Sequence, residues 1–414
     1  MKNVLLAMGF ILTAGMISGC GDSLPTGSSL TATPSNRITA TAGTNLSAFY
    51  GNFVTGVPQV TVTDKQNKPL VGDTVHFTAT GGGRVTGATA LTDSAGHAAP
   101  TSWRLGSSGA QALTASVTGA LPISITAAAA EPPASSFHIQ IRYADGTTPN
   151  DAEKAAFAAA AARWSQIILQ GGAPYPVNEL SDGCGDLRGQ TVDGVVITAN
   201  LTSIDGVGKI LGSAGPCILR DVGLLPAQGY MEFDTADLAA LEANGQLQQV
   251  ILHEMGHVLG FGSIWNVVPG NGLPSIMLLD RSDPNDPVFR GPASISALFG
   301  LAGPTGFLGT AVPVENTGGE GTAYAHWRES FFGSELMTGW LNAGSNPLSA
   351  LTIAQFRDLG YVVNDALGES YSFAAAIRAA GAEPLQIGEG KLTMPLIVIN
   401  HAGNMVGRIQ RSFK

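Results

Sequence analysis

Apolar and polar residues alternate in short runs over residues 41–128, and turn signals separate the runs. Val57–Val62 is followed by the turn-like stretch Asp64–Pro69, after which Val75 and Phe77 stand between polar neighbours. A period of two is typical of strands with one buried face. Short strands at this spacing predict an all-β sandwich for this part of the chain.

The pattern changes beyond an Ala- and Pro-rich stretch, residues 129–136, which predicts a linker. Half-buried strands then alternate with helical patterns, which predicts an α+β domain over residues 137–370. Thr148 and Pro149 indicate a helix start with Pro in the first helical position. Residues 371–414 are predicted to form a C-terminal extension with a hairpin from about residue 385. The predicted strands are Phe137–Tyr143, Val195–Leu201 and Tyr230–Phe233, and the predicted helices are Asp151–Leu169, one after Thr235, 246–259 and Ser349–Leu359.

The first residues have the pattern of a targeting segment. Lys2 precedes the apolar run Val4–Ile17, so residues 1–19 are predicted to be a signal peptide. The run leads into Ser18-Gly19-Cys20, which resembles a bacterial lipobox. That resemblance implies that Cys20 is lipidated and attaches the protein to a membrane. The alternative is a plain signal peptide that contains a cysteine.

The predicted location is the cell envelope, at the outer membrane or the cell surface. Residues 20–40 are rich in Ser, Thr, Gly and Pro and predict a flexible tether behind the lipidated cysteine. Gly21 follows Cys20, which resembles the outer-membrane sorting pattern of lipoproteins in double-membraned bacteria.

Composition narrows the class of partner. Charged residues make up 13% of the chain and the formal net charge is −10. With no patch of Lys or Arg, this composition excludes nucleic acid as a partner. Cys184 and Cys217 predict a disulfide, because the chain is exported. The loop-entropy account gives such a bridge about 3.7 kcal/mol; two free buried thiols are the alternative.

The strongest chemical signal is the sequence H-E-x-x-H at His253–His257. Two histidines four positions apart lie on one face of a helix, close enough to bind one zinc ion. Glu254 is rotated about 100° from His253, so we expect it to act as a general base on a water that the zinc activates. The helical face that packs in the core is predicted to be Leu247, Ile251, Met255 and Val258.

A catalytic zinc needs a third protein ligand. The short metzincin spacing would place it at 263, but that residue is Ser263. The histidines further along are His326 and His401, and Glu315 and Glu320 are the other candidates.

The segments Ala323–Ser330 and Glu335–Gly339, read with the H-E-x-x-H helix, resemble the leishmanolysin family of zinc metalloproteases. This resemblance, over roughly residues 137–365, implies a metzincin-like fold and zinc-dependent cleavage of protein or peptide substrates. It implies His326 as the third ligand, Met337 as the methionine of the tight turn beneath the zinc, and Gly260 as the residue where the chain leaves the helix.

Residues 41–128 resemble a bacterial immunoglobulin-like domain of the invasin type. This resemblance implies that the domain acts as a spacer or in adhesion. The residues that carry this resemblance are Val62–Asp64, Pro69–Gly72, Val75–Phe77, Thr92–Gly96 and Trp103–Gly106. Leishmanolysins are held latent by a propeptide cysteine. Because no cysteine lies between Cys20 and the catalytic domain, no such latency is predicted.

Two other functions stay open. The first is a non-catalytic surface adhesin with a relic protease domain, and the second is a zinc hydrolase that acts on a non-peptide bond. The acidic loop 280–286 is interpreted as an exposed loop, with binding of a hard cation such as calcium as the alternative. Glu329 and Glu335 are interpreted as solvated or structural carboxylates.

Overall fold

The computed structural model describes residues 34–54, 56–106, 109–179, 181, 183–302, 309–319, 321–371, 385–387 and 394–410. The predicted signal peptide, the predicted lipidation site Cys20 and most of the predicted tether lie outside the described residues. From Ser35 onward the described residues belong to one compact unit. Within the part of the chain that the structure describes, none of the helices combines the length and the apolarity that crossing a bilayer requires.

The N-terminal region consists of strands. They form a three-stranded sheet in the order β1-β3-β7, a five-stranded sheet in the order β2-β10-β9-β4-β6, and the pair β5-β8. The apolar residues of the alternating pattern, Val75 and Phe77 among them, are buried in a core of their own, so the predicted strand-rich region is confirmed. The strands are β1 (Asn36–Ala42), β2 (Leu46–Phe49), β3 (Gln59–Asp64), β4 (Thr74–Ala79), β5 (Arg84–Thr86), β6 (Thr89–Leu91), β7 (His97–Ala98), β8 (Ser102–Arg104), β9 (Gly109–Ser116) and β10 (Ile123–Ala130).

The linker predicted from composition, residues 129–136, overlaps the end of strand β10. Strand β10 continues to Ala130, pairing with both β2 and β9. Ala127 and Ala129 are buried while Ala128 and Ala130 are exposed, so a run of alanines here has the alternation of a strand. Composition could not reveal this, because alternation is invisible when every side chain is the same.

A six-stranded sheet organises the remainder of the chain, in the order β11-β15-β17-β16-β26-β27. The first three strands of this order are parallel, and β16 runs antiparallel to β17. The strands are β11 (Ile139–Tyr143), β12 (Ile168–Gln170), β13 (Tyr175–Val177), β14 (Gln190–Val192), β15 (Val195–Thr202), β16 (Gly212–Arg220), β17 (Pro226–Asp234), β18 (Asn266–Val267), β19 (Ile276–Met277), β20 (Leu279–Asp280), β21 (Val288–Phe289), β22 (Val312–Pro313), β23 (Trp340–Leu341), β24 (Val362–Val363), β25 (Leu385–Gln386), β26 (Leu396–Ile399) and β27 (Met405–Ile409).

Two long helices, α1 and α3, pack against each other and against this sheet. The residues predicted to face the core from α3 are buried there. The helices are α1 (Asp151–Ile167), α2 (Leu238–Ala243), α3 (Leu247–Val258), α4 (Pro292–Ala302), α5 (Glu329–Phe332) and α6 (Ala350–Asp358).

Helix α1 begins at Asp151, two residues after the start that Pro149 predicts. Asn150 is the N-cap: its side chain accepts a hydrogen bond from Glu153 N at 2.8 Å, and the Glu153 carboxylate accepts one from Asn150 N at 2.7 Å. This reciprocal capping box satisfies two backbone donors at once. Pro149 therefore precedes the cap and does not occupy the first helical position.

The last described residues of the chain belong to the six-stranded sheet. The predicted hairpin is present as β26 and β27, but it starts later than residue 385. Strand β26 pairs in parallel with the end of β16, so the hairpin extends the six-stranded sheet. The predicted disulfide between Cys184 and Cys217 is present, with Cα atoms 6.5 Å apart, and it joins β16 to the loop that follows β13.

Polar and apolar contacts join the N-terminal region to the region that contains the six-stranded sheet. Asn52 donates a hydrogen bond to Val363 O at 2.9 Å and accepts one from Asp365 N at 2.8 Å. Phe53 is part of the main core, and a side chain on Gly300 would collide with its ring at 2.6 Å. The two regions therefore share buried contacts beside helix α6.

Candidate metal centre

Helix α3 presents the two histidines of the H-E-x-x-H sequence side by side. Ile251, Met255 and Val258 are fully buried and hold the helix in the core. His253 and His257, one turn apart, share a different face, as their spacing predicts. Both imidazoles are buried, at 0% and 7% exposure.

His326 reaches the same point from far along the chain. The adjacent residue, Trp327, is fully buried and packs with its ring centroid 5.0 to 5.6 Å from those of Phe261, Trp265 and Phe289. This aromatic cluster fixes the backbone at position 326. The resemblance to leishmanolysins implies a shared site for the three histidines, and the structure brings them together.

The three Nε2 atoms lie against one another. The distances are 3.0 Å from His253 to His257, 3.1 Å from His253 to His326 and 2.9 Å from His257 to His326. One ligand atom from each residue lies within 4.8 Å of the others, the arrangement expected for side chains that hold a metal ion.

Backbone carbonyls fix the tautomer of each ring. His253 Nδ1 donates to Leu336 O at 2.7 Å, His257 Nδ1 to Phe261 O at 2.9 Å and His326 Nδ1 to Thr322 O at 2.9 Å. A carbonyl oxygen only accepts, so each Nδ1 carries the proton. Orienting contacts of this kind are typical of metal-binding histidines.

Burial keeps the three imidazoles neutral. Burial first and the neighbouring histidines second lower the pKa of His257 and of His326 to about 3 and that of His253 well below its usual value. A neutral imidazole protonated at Nδ1 has a lone pair on Nε2. Three such lone pairs about 3 Å apart cannot bond to one another, so this donor set fits a cation between them.

Glu254 lies beside the histidines with one unpaired oxygen. Its side chain is 1% exposed, and among the described residues no group donates a hydrogen bond to its Oε1. Burial raises the pKa of Glu254 to about 8, and the Glu232 carboxylate adds to the shift. A buried carboxylate oxygen without a donor is costly unless another group completes its contacts. The orphaned oxygen therefore also fits a site that accepts a cation and a water.

Met337 lies directly against helix α3. A side chain on Gly256 would come within 2.9 Å of Met337 Cε and 3.0 Å of its Sδ, so glycine at this position lets Met337 pack directly on the helix between the two histidines. The methionine is fully buried. Gly260, with φ of +118°, ends the helix in a conformation that other residues rarely adopt.

The other candidates for a third ligand lie elsewhere or have other partners. His401 packs on the Tyr175 ring with centroids 4.4 Å apart. Glu315 accepts hydrogen bonds from the backbone of Asn316, Thr317 and Glu329. Glu320 lies outside the described residues. Ser263, the position of the short metzincin ligand, donates to His257 O at 2.6 Å.

The acidic loop carries its own counter-charges. Asp280 pairs with Arg290 at 2.7 Å and Asp286 with Arg328 at 2.6 Å. Asp283, in the same loop, is exposed. The interpretation of 280–286 as an exposed loop agrees with these contacts.

Sequence reasoning missed the groups that orient the histidines. Leu336, Phe261 and Thr322 act through backbone carbonyls, which every residue has, so no residue type marks them. Glu335 is fully buried and Glu329 is 6% exposed, so the structural interpretation of these carboxylates is correct and the solvated one is wrong.

Part of the chain that contains this site is similar to a known protein family. Residues 189–377 match the profile of the leishmanolysin family, peptidase family M8. The match includes all three histidines, Glu254 and Met337. The resemblance to leishmanolysins is therefore confirmed for this part of the chain.

Two curated relatives are distant. Leishmanolysin from Leishmania donovani is 29% identical over 167 residues, which cover 40% of this chain and 27% of the relative. The ciliated left-right organizer metallopeptidase from Xenopus laevis is 31% identical over 150 residues, 34% of this chain and 21% of the relative. The matched stretches thus span about a quarter of the length of these relatives.

Two solved structures are weakly similar to part of this chain. A glycosyl hydrolase family 2 member from Bacteroides cellulosilyticus is 19% identical and covers 24% of this chain and 14% of its own, with a TM-score of 0.20. The D0-D1 domain of intimin is 21% identical and covers 22% of this chain and 45% of its own, with a TM-score of 0.17. Scores of this size carry no argument about the fold.

Proposed function

We propose that this protein is a zinc-dependent endopeptidase of the leishmanolysin family. The observation that carries the proposal is the convergence of three Nε2 lone pairs, from His253, His257 and His326, at distances of 2.9 to 3.1 Å. Neutral imidazoles suit zinc, and three protein ligands are the number found in catalytic zinc sites. The match of residues 189–377 to a metallopeptidase family supports the choice of reaction.

Each side chain has a defined role in this proposal. The three imidazoles hold the metal, and the carbonyls that accept from their Nδ1 atoms keep the Nε2 atoms free to bind. Zinc, when bound, supplies a Lewis acid that polarises the scissile carbonyl and makes a water nucleophilic at neutral pH. The positive charge of a bound zinc ion would lower the pKa of the nearby Glu254 carboxyl. The ionised carboxylate would then accept the proton of the attacking water and pass it to the leaving amine. Met337 packs against helix α3 at Gly256, between the two histidines of that helix.

We further propose that the N-terminal region is an immunoglobulin-like sandwich and that Cys20 carries a lipid anchor in the cell envelope. The two separate sheets with a shared apolar core support the first part. The lipobox-like sequence supports the second. Attachment at Cys20 would place the catalytic region outside the cytoplasm, where a disulfide between Cys184 and Cys217 is stable.

Digestion of casein by the purified chain tests the function. We expect casein to be cleaved, cleavage to stop with 1,10-phenanthroline, and added zinc to restore it. A parallel panel of simple esters should stay intact. Cleavage of esters alone would favour a hydrolase of non-peptide bonds, and a zinc-loaded chain inert towards both would favour the adhesin alternative.

A further inference from the structure

A buried carboxylate lies in the turn that carries Met337. Glu335 is fully buried and accepts four hydrogen bonds: from Met337 N at 2.6 Å, Ser349 N at 3.1 Å, Ser349 Oγ at 2.6 Å and Thr352 Oγ1 at 2.6 Å. Burial raises the pKa of this carboxyl, and these donors act against the shift. Its contacts join the turn to the first turn of helix α6.

Other partners fix the direction of the two hydroxyl contacts. Thr352 Oγ1 accepts a hydrogen bond from Trp327 Nε1 at 2.9 Å, so its own proton is directed at Glu335. Ser349 Oγ caps helix α6 by accepting from Thr352 N at 3.4 Å, which leaves its proton for the same carboxylate. Glu335 therefore faces four donors and needs both oxygens as acceptors.

Glu335 fixes the turn that orients the His253 imidazole and that also contacts the backbone next to His326. Leu336 O accepts from His253 Nδ1 at 2.7 Å. Met337 O accepts from Trp327 N at 3.0 Å, which ties the turn to the residue after His326. The Trp327 ring is tied to the same network through Thr352. One route thus runs from Glu335 through the Leu336–Met337 peptide to His253. The other runs through Thr352 and Trp327 to the residue next to Trp327, His326.

We propose that Glu335 is a positioning residue of the metal centre. Its carboxylate joins the methionine-bearing turn to helix α6 by hydrogen bonds. The position of this turn then sets the orientation of His253 and His326. This inference rests on the proposed function, because the orientation matters only when the imidazoles bind a metal. Partners beyond the direct ligands typically change metal affinity about 10–100-fold when they are removed.

The variant Glu335→Gln tests the inference with little change in volume. An amide has one acceptor oxygen, so its NH₂ group must face either Met337 N or the Ser349 donors. We expect the zinc dissociation constant, measured by competition with a chelator, to rise about 10–100-fold. We also expect the visible absorption spectrum of the cobalt-substituted protein to change, because the ligands no longer hold the same geometry.

Asp358→Asn is the matched control. Asp358 lies at the other end of helix α6 and also accepts three hydrogen bonds, from Ala293 N, Ser294 N and Ser294 Oγ. The Asp358→Asn variant should have lower thermal stability than the wild type, with the zinc dissociation constant and the cobalt spectrum unchanged. If Glu335→Gln matched this control in both readouts, Glu335 would be an ordinary structural carboxylate and the inference would be wrong.

Thr352→Val is the second variant, and it keeps the inference testable if Glu335→Gln does not fold. It retains the side-chain shape but breaks the link between Trp327 and Glu335. We expect a smaller rise of the zinc dissociation constant in the same direction, and zinc affinity equal to that of the Asp358→Asn control would overturn the inference. The wild-type protein distinguishes this inference from the proposed function. If the wild type binds zinc and cleaves casein while the variants match the control, only the inference about Glu335 is wrong. If the wild type binds no zinc, both the proposed function and the inference are wrong.

Discussion

Glu254→Gln is expected to lose proteolysis and keep its metal. The glutamine has nearly the same shape but cannot accept a proton at neutral pH, so the step assigned to Glu254 is lost. Removal of a general base typically lowers kcat about 10²–10⁴-fold. Glu254 is not one of the three side chains whose ligand atoms converge, so zinc affinity should stay at the wild-type level. Steady-state kinetics on a casein-derived peptide and metal analysis of the same sample measure both effects.

The control for this variant is Glu242→Gln. Glu242 is an exposed carboxylate on the neighbouring helix α2, and its amide variant should match the wild type in kcat and in zinc content. Wild-type kcat in the Glu254→Gln variant would show that another group takes the proton. Loss of zinc together with activity would show instead that Glu254 helps to hold the metal.

His326→Ala is expected to abolish both tight zinc binding and proteolysis. It removes one of three nitrogen ligands, so the loss of affinity should exceed the roughly 10–100-fold that an indirect partner contributes. Zinc at 100 times its dissociation constant stabilises the wild type by about 2.7 kcal/mol. Thermal unfolding with and without added zinc should therefore show a rise in Tm for the wild type and none for the variant.

His401→Ala is the matched histidine control. His401 also lies downstream of the helix, but it contacts Tyr175, with Nε2 3.1 Å from the phenol oxygen. This variant should bind zinc and cleave casein like the wild type. A zinc-dependent rise in Tm that survives in His326→Ala and disappears in His401→Ala would move the third ligand to position 401.

The local half of the site could be predicted from the sequence. His253 and His257 are four positions apart on a helix, and helical geometry alone places them on one face. His326 carries no such signal, because the distance along the chain says nothing about the distance in space. Only the resemblance of the segments around His326 and Met337 to leishmanolysins identified it.

The attachment of the N-terminal region could not be predicted. Asn52 lies in a stretch without a clear pattern, and its partner Val363 is 311 positions away. The alternation of Val75 and Phe77 predicts which face of a strand is buried, but it gives no information about neighbouring domains. The same limit applies to Glu335, since a buried carboxylate and an exposed one look alike in a sequence.

The most direct test of the central claim is anomalous diffraction from crystals of the purified chain at the zinc absorption edge. We predict a single strong anomalous peak bounded by the Nε2 atoms of His253, His257 and His326. A zinc-containing crystal whose anomalous peak lies elsewhere, with these three nitrogens unliganded, would contradict the account.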